Sequence, residues 1–383
     1  MHVAIDYNAA VRQGGGIGRF VREITSVAAK AAPQHRFSLW YASRGLKQDS
    51  QPMRALRELA RLPNVTPRPV PISERLLTII WQRARLPLPV ETIVGKAEVV
   101  HGTDFVLPPT RARTLLSIHD FAYEIHPETA QPELRRYLGR AVPRAIARAD
   151  HIHVNSVATQ RDMERLLGVA HAKSSIVYSG SGADFWPRPA EQVAEMRRRL
   201  GLPERYLLNV GTVQPRKNVE RLIDAYAMLG AEAAGVSLVI AGKRGWLAEP
   251  IYAAVARHSL GGRVQFLDFV ADEDLPLLYS GAEAMVYPSL YEGFGVPIVE
   301  AQACGAPVIT STVSSLPEVA GAAALLVDPL DTAAIAAAMR RILSEPALAA
   351  ELRQAGPRQA AQFTWQQCGE GLLGLYELVG GLA

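Results

Sequence analysis

Cysteine is nearly absent from this 383-residue chain, which carries only Cys304 and Cys368. Two thiols cannot assemble a metal cluster and offer no disulfide framework, so the chain reads as a reduced, cytosolic protein with two incidental thiols. No apolar run approaches the ~18 residues that a membrane-spanning helix needs. The opening MHVAIDYNAA has neither a basic n-region nor an apolar h-region, so no secretory signal is expected. Fixed-period repeats and low-complexity segments are missing as well. What is there is an ordinary globular composition, 49% hydrophobic and 20% charged, which excludes a mostly disordered chain. The length exceeds what one hydrophobic core accommodates, so two domains are expected.

Charge is shared unevenly. Residues 1–190 hold 26 Lys+Arg against 16 Asp+Glu, and the remainder holds 15 against 21, so balances of +10 and −6 make up the net +4. The first half therefore suits an anionic partner. Its arginines are scattered and no nucleic-acid motif accompanies them, so nucleic acid is not the expected partner. A phosphorylated substrate or an anionic membrane surface fits better.

Short β-branched runs alternate with helical patterns. The first half gives VAID (3–6), FSLWY (37–41), EVVH (98–101), TLLSIH (114–119), HIHV (151–154) and SSIVY (174–178). The second gives YLLNVG (206–211), VSLVIAG (236–242), VQFL (264–267), AMVYP (284–288), PVIT (307–310) and ALLV (324–327). Helices are expected at 17–31, 218–229 and 331–343, among others. Such alternation implies α/β architecture with doubly wound parallel sheets. The series restarts after the proline-bearing WPRPAEQ (186–192), which divides the chain into Rossmann-like domains at 1–186 and 187–362. The helical tail at about 363–383 is expected to cross back onto the first domain. Sheets of this kind bind ligands at the carboxyl ends of their strands, so the loops after strands are where chemistry is sought.

Three such loops stand out. RQGGGIGRF (12–20) follows the first strand and opens a helix, as phosphate-binding turns do. It fails the dinucleotide pattern, because the sixth position from Gly14 is Arg19, and a purely structural turn stays open. NVGTVQPRKN (209–218) is again strand, glycine turn and helix, with Arg216 and Lys217 where an anion is already favoured by backbone dipoles. YPSLYEGFGVPIVEAQACGAPVIT (287–310) carries Glu292 and Glu300 in an otherwise apolar stretch, where an unpaired buried charge is costly. Apolar neighbours Ile298, Val299, Ala301 and Ala303 argue against an exposed helix around Glu300, and carboxylates accept hydrogen bonds from several hydroxyls of a polyhydroxyl ligand.

With these motifs in order, and with IHDFAYEIHPE (118–128), VNS (154–156) and SGAD (181–184) between them, nearly the whole chain resembles the retaining GT-B glycosyltransferases of family four (group 1). The likeness is greatest to bacterial GDP-mannose-dependent mannosyltransferases. It implies two Rossmann-like domains facing each other across a cleft, with a nucleotide sugar as donor. By that resemblance Glu300 binds the ribose, while Arg216 and Lys217 hold the diphosphate and stabilise the leaving nucleoside diphosphate. Glu292, Gly293, Phe294, Gly295 and Val296 grip the donor sugar. Gly15 and Gly16 approach from the first domain, His119 meets the sugar near the reaction centre, and Val270 and Leu275 fall at the base pocket. Gly211, Thr212 and Gly242 complete the donor-binding set. His119 is a strand-ending histidine like His101 and so could equally be a core residue; Asp120 beside it could orient its ring.

The resemblance also implies catalysis without a cofactor or metal. Asp272-Glu273-Asp274 imitates a metal-binding Asp-x-Asp but reads better as an acidic helix start. A UDP-sugar donor, a nucleotide-sugar 2-epimerase and a non-enzymatic nucleotide-sugar-binding scaffold remain alternatives. The expected acceptor is a saccharide, free or polyprenyl-linked, in polysaccharide or glycolipid assembly. Seven arginines between Arg54 and Arg85, with Leu76, Leu77, Ile79, Ile80 and Trp81 among the last of them, allow either a membrane-surface helix or an ordinary core-facing one. The expected location is the cytoplasm, with peripheral contact to the cytoplasmic membrane under the first reading.

Overall fold

The computed structural model describes residues 1–382. Two compact units make up the chain. The first comprises Met1–Phe121, Pro132–Ser179 and the C-terminal Trp365–Ala383; the second comprises Ala122–Gln131 and Gly180–Thr364. The boundary after Ser179 falls a few residues before the proline-bearing stretch, and the decapeptide Ala122–Gln131 belongs to the second unit although its neighbours in sequence belong to the first.

The first unit is built on seven parallel strands: β1 (His2–Asp6), β2 (Arg36–Ala42), β3 (Val65–Val70), β4 (Val99–Gly102), β5 (Arg113–Ile118), β6 (His151–Val154) and β7 (Ser174–Ile176). Their order across the sheet is β3-β2-β1-β4-β5-β6-β7. The second unit has β8 (Arg205–Val210), β9 (Val236–Ala241), β10 (Val264–Phe266), β11 (Ala284–Tyr287), β12 (Val308–Ser311) and β13 (Leu325–Val327) in the order β10-β9-β8-β11-β12-β13, also parallel. Both sheets wind outward from a central pair, β1/β4 and β8/β11. The winding reverses there, and in sheets of this kind the loops leaving the strands at such a point are where ligands bind.

β3 is a strand that hydrophobic periodicity does not reveal. Its sequence VTPRPV contains two prolines, which central strands exclude, and it lies at the sheet edge with Leu39 opposite Pro67 and Tyr41 opposite Pro69. The basic segment near residue 80 resolves toward the core. A short helix, Glu74–Thr78, runs into a π-helical turn, Ile79–Arg83. Leu77 and Trp81 pack against Ala4, Trp40, Ala42, Val90 and Val94, and the Trp81 indole N–H donates to Leu88 O at 2.9 Å. The tryptophan that would anchor a membrane-surface helix is thus committed inside. No helix among the described residues is long and apolar enough to cross a membrane.

The helix Gly16–Ala31 and the C-terminal helix Trp365–Gly380 lie against each other in the first unit. Gly369 makes this possible, since a Cβ there would sit 2.4 Å from Val27 Cβ. Tyr376 on the C-terminal helix ends a buried hydrogen-bonded chain that crosses the sheet. His101 Nδ1 meets Tyr376 Oη at 2.8 Å, His101 Nε2 meets Ser117 Oγ at 2.8 Å, Ser117 Oγ meets His153 Nδ1 at 2.9 Å, and His153 Nε2 meets Val177 O at 2.9 Å. With both imidazoles kept neutral by burial, a carbonyl that only accepts assigns every proton in the chain. His153 Nε2–H donates to Val177, Ser117 donates to His153, His101 Nε2–H donates to Ser117, and Tyr376 donates to His101. Burial holds the His153 imidazole down to about 3 and His101 well below the usual histidine range.

A histidine whose folded pKa is depressed costs stability once the unfolded state begins to take up protons. This chain's contribution to the melting temperature is therefore expected to be full above about pH 6.5 and to shrink as pH drops from there toward the folded values, read as the difference between wild type and variant. His153→Asn should melt lower at neutral pH but lose less on acidification. Parallel pH dependences of wild type and variant would show that this chain does not titrate on unfolding.

Candidate active site

In the second unit two loops at the sheet's reversal point are stitched together. β8 ends at Val210 and passes through Gly211 into a short turn, Pro215–Lys217; β11 ends at Tyr287 and continues to Glu292. Leu290 N donates to Arg216 O at 2.9 Å, Asn218 Nδ2 donates to Pro288 O at 2.9 Å, and Arg216 Nη1 donates to Tyr291 O at 2.6 Å. Asn218 adopts the left-handed conformation (φ +57°), a conformation asparagine tolerates better than most residues.

This stitching delivers Arg216, Lys217 and Glu292 to one point. Arg216 Nη1 lies 2.7 Å from Glu292 Oε2 and Lys217 Nζ lies 2.7 Å from Oε1. Glu292 is 7% exposed and Lys217 9%. Burial by itself would raise the Glu292 pKa, but the two cations and their hydrogen bonds outweigh it and hold the carboxyl at about 2. Backbone contacts fix the loop: Glu292 N donates to Ser314 Oγ at 3.0 Å, and Ser315 Oγ donates to Glu292 O and Phe294 O, each at 2.9 Å.

The glycines have specific reasons. Gly242 sits at φ +155° with Gly211 O 1.9 Å from where a Cβ would be, so the turns after β8 and β9 touch backbone to backbone. Gly211 itself (φ +145°) lies beneath the Lys217 side chain, whose Cε would be 3.4 Å from a Cβ. Gly295 (φ +105°) caps the helix Val296–Ala303, and Phe294 packs edge-on against Phe363. Thr212 is exposed beside this junction, its Cγ2 meeting the position of a Gly245 Cβ at 2.8 Å.

Glu300 lies inside the helix Val296–Ala303, 4% exposed, and the Tyr279 hydroxyl donates to its Oε2 at 3.1 Å. Val270 and Leu275, both half-buried, lie on the segment after β10, separated from β8 by β9. Asp274 of the acidic triplet stands at the N-cap of the helix Leu275–Ser280 and is forked by the Arg199 guanidinium. Tyr287, Tyr279 and Ser315 were not singled out from the sequence. The two tyrosines read as apolar core there, and only their hydroxyl partners distinguish them.

The first unit carries its own convergence at strand ends. Gly14, Gly15 and Gly16 are exposed at the start of the helix Gly16–Ala31, and nothing lies within 4 Å of a Cβ built on any of them. His119 follows β5, is 7% exposed, and stands edge-on to Phe20 and Phe105 at 5.0 and 5.6 Å between ring centroids. Its Nε2 meets Thr103 O at 2.8 Å, which makes Nε2 the protonated nitrogen and leaves Nδ1 as an acceptor. Burial keeps the imidazole below its usual range, hence neutral. Asp6 ends β1 and Asp104 follows β4. Removal from water pushes them up to about 6 and about 7, and for Asp104 the carboxylates of Asp6, Glu74 and Asp120 push the same way. The acidic end of VAID was the available signal for this group.

Comparison with known proteins places the chain. Residues 192–359 match the profile of the glycosyl transferases group 1, and residues 14–181 match that of Glycosyltransferase Family 4. Over 286 residues the chain is 34% identical to the O-antigen chain mannosyltransferase B of Escherichia coli, covering 74% of this chain and 75% of that one. The chain belongs to the glycosyl transferases group 1.

Over 223 residues this glycosyltransferase is also 32% identical to the serotype-specific mannosyltransferase WbdA of Escherichia coli, a longer protein of which it spans 27%. Sucrose-phosphate synthase from Thermosynechococcus elongatus shares its GT-B fold, with a TM-score of 0.77 at 22% identity and 99% coverage of both chains. Arg216 and Lys217 of the second unit thus lie in the matched group 1 segment, and His119 and the glycine turn in the matched family-four segment. For this glycosyltransferase Gly242→Ala is expected to cost about 3 kcal/mol or more, since φ is unfavourable for any side chain and the new methyl would strike Gly211 O. Chemical denaturation reads it directly; a variant as stable as wild type would mean that the two turns do not need backbone contact.

Proposed function

We propose that this enzyme is a retaining, metal-independent hexosyltransferase that moves mannose from GDP-mannose to a saccharide acceptor during polysaccharide or glycolipid assembly. The observation that carries the reading is the Arg216–Lys217–Glu292 cluster, two of its members buried and Arg216 half-buried, at the carboxyl ends of β8 and β11. Glycosyl transfer leaves negative charge on the departing diphosphate. Cations fixed in advance in a site shielded from water stabilise that charge without reorganisation, and they take the part that a metal ion plays in other transferases. Glu292, released from the cations as phosphate oxygens replace it, is placed to accept hydrogen bonds from sugar hydroxyls. Glu300, held by Tyr279, faces the ribose in this reading.

Mannose as the sugar is supported by the 34% identity to a mannosyltransferase over three quarters of the chain, and GDP as its carrier is part of the proposal. His119 enters as a neutral acceptor for a sugar hydroxyl. A polyprenyl-linked acceptor and peripheral membrane contact belong to the same proposal. Because Trp81 packs inward, this reading assigns such contact to the exposed Leu76, Leu86 and Leu88 with the neighbouring arginines.

Thermal stabilisation by GDP, UDP and ADP in the presence of EDTA tests donor and metal together. A shift with GDP alone is expected. A shift with UDP alone would overturn the donor while leaving the mechanism, and restoration only by added Mg²⁺ or Mn²⁺ would overturn metal independence. Glu300→Ala should weaken nucleotide binding by about tenfold, a buried charge-assisted contact's worth, whereas Glu292→Ala should mainly slow transfer. Unchanged binding and turnover in both variants would remove the glutamates from the site.

A further inference from the structure

Tyr287 closes β11 and is fully buried. Its hydroxyl donates to Glu292 Oε1 at 3.0 Å, Lys217 Nζ donates to the same Oε1 at 2.7 Å, and Lys217 Nζ also donates to the Tyr287 hydroxyl. These three contacts form a closed triangle. The phenol has one proton, and that proton is committed to the carboxylate, so the oxygen presents a lone pair to the ammonium. Burial and the adjacent Glu292 charge push the phenol's pKa well above its usual range, so it does not ionise in the enzyme's working range. The Lys217 stem crosses Gly211, and Nζ lies 4.8 Å from the Tyr287 ring centroid.

Lysine is a point charge on a flexible four-carbon stem, whereas arginine carries its own planar fork. Arg216 is oriented by the Tyr291 carbonyl and by Glu292. Lys217 has a different restraint. Once a phosphate takes Glu292's place, the neutral phenol stays as an acceptor for the ammonium, and it does not compete with an incoming anion as a second carboxylate would. We infer that Tyr287 is a positioning residue for transfer, its hydroxyl fixing where the Lys217 ammonium points while Glu292 changes partner from cation to sugar. The inference rests on the reading of Arg216 and Lys217 as the cations for the leaving diphosphate. Charge on that diphosphate grows between ground and transition state, so misdirecting Lys217 acts on kcat more than on donor binding.

The experiment compares wild type, Tyr287→Phe, Lys217→Ala and the double variant as full-length chains. Calorimetry measures GDP and UDP binding, and nucleoside diphosphate release from GDP-mannose or UDP-glucose measures turnover, with water as acceptor where no saccharide acceptor is in hand. Tyr287→Phe keeps the ring and its packing. It is expected to lower kcat about tenfold with donor KM within about twofold, and to move the alkaline limb of kcat to lower pH because the charged amine loses an acceptor. In the Lys217→Ala background the same change should cost nothing further, because the hydroxyl acts through the amine. A purely structural role would instead lower the melting temperature equally in both backgrounds and leave the pH limb in place, and that result overturns the inference. Wild-type kcat and pH profile in Tyr287→Phe also overturn it, while nucleotide binding by wild type keeps the functional reading intact. Absence of nucleotide binding by wild type itself removes the functional reading and the inference together. If Tyr287→Phe does not fold, site-specific replacement of Tyr287 by 3,5-difluorotyrosine keeps the ring and weakens its oxygen as an acceptor: kcat must then fall with donor KM unchanged, and an unchanged kcat overturns the inference.

Discussion

Holding two cations and a carboxylate together out of water is the constraint around which the second unit is arranged. Each group alone would be costly to bury, and their mutual attraction compensates only if the geometry is tight. The backbone supplies that tightness. Bonds from Leu290 to Arg216 and from Asn218 to Pro288 join two loops that lie about 70 residues apart in sequence, and the absence of Cβ atoms at Gly211 and Gly242 lets a third turn close beneath them. The parallel order β9-β8-β11-β12 brings these loops side by side at the point where winding reverses, so topology sets the cations opposite the carboxylate.

Without a ligand, the cluster satisfies itself. Glu292 stands where an anionic ligand's oxygens would be drawn, between Arg216 and Lys217, and the site stays folded at neutral pH with its charges compensated internally. A ligand that replaces Glu292 therefore exchanges one set of charge-assisted hydrogen bonds for another and does not have to create them. Such an exchange lets a site bind an anion tightly enough to hold it and loosely enough to release the product.

Much of this was legible in the sequence, for reasons that differ by residue. Strands such as VSLVIA and helices such as Gly16–Ala31 announce themselves because burial and periodicity coincide. Arg216, Lys217, Glu292 and Glu300 were visible because charges at strand ends or within apolar runs conflict with simple core packing. What stayed hidden were groups whose residue type suits two roles. Tyr287 and Tyr279 look like core and are core, yet their hydroxyls hold the two glutamates. His101 and His119 end neighbouring strands alike. One is consumed in a proton-ordered chain reaching Tyr376, while the other keeps an accepting nitrogen. β3 was missed because its prolines mask a pattern that an edge position permits.

Those prolines also protect the sheet. Phe37 N donates to Asn64 O and Ser43 N donates to Val70 O, so the even-numbered backbone groups of this stretch face β2 and the odd-numbered ones face outward. Of the outward amides, Val65 already donates to Leu62 O, and residues 67 and 69 are prolines with no N–H to give. A sheet margin with so few donors to offer pairs poorly with a foreign strand, so the prolines, with the exposed Arg68 between them, make this rim resist edge-to-edge aggregation.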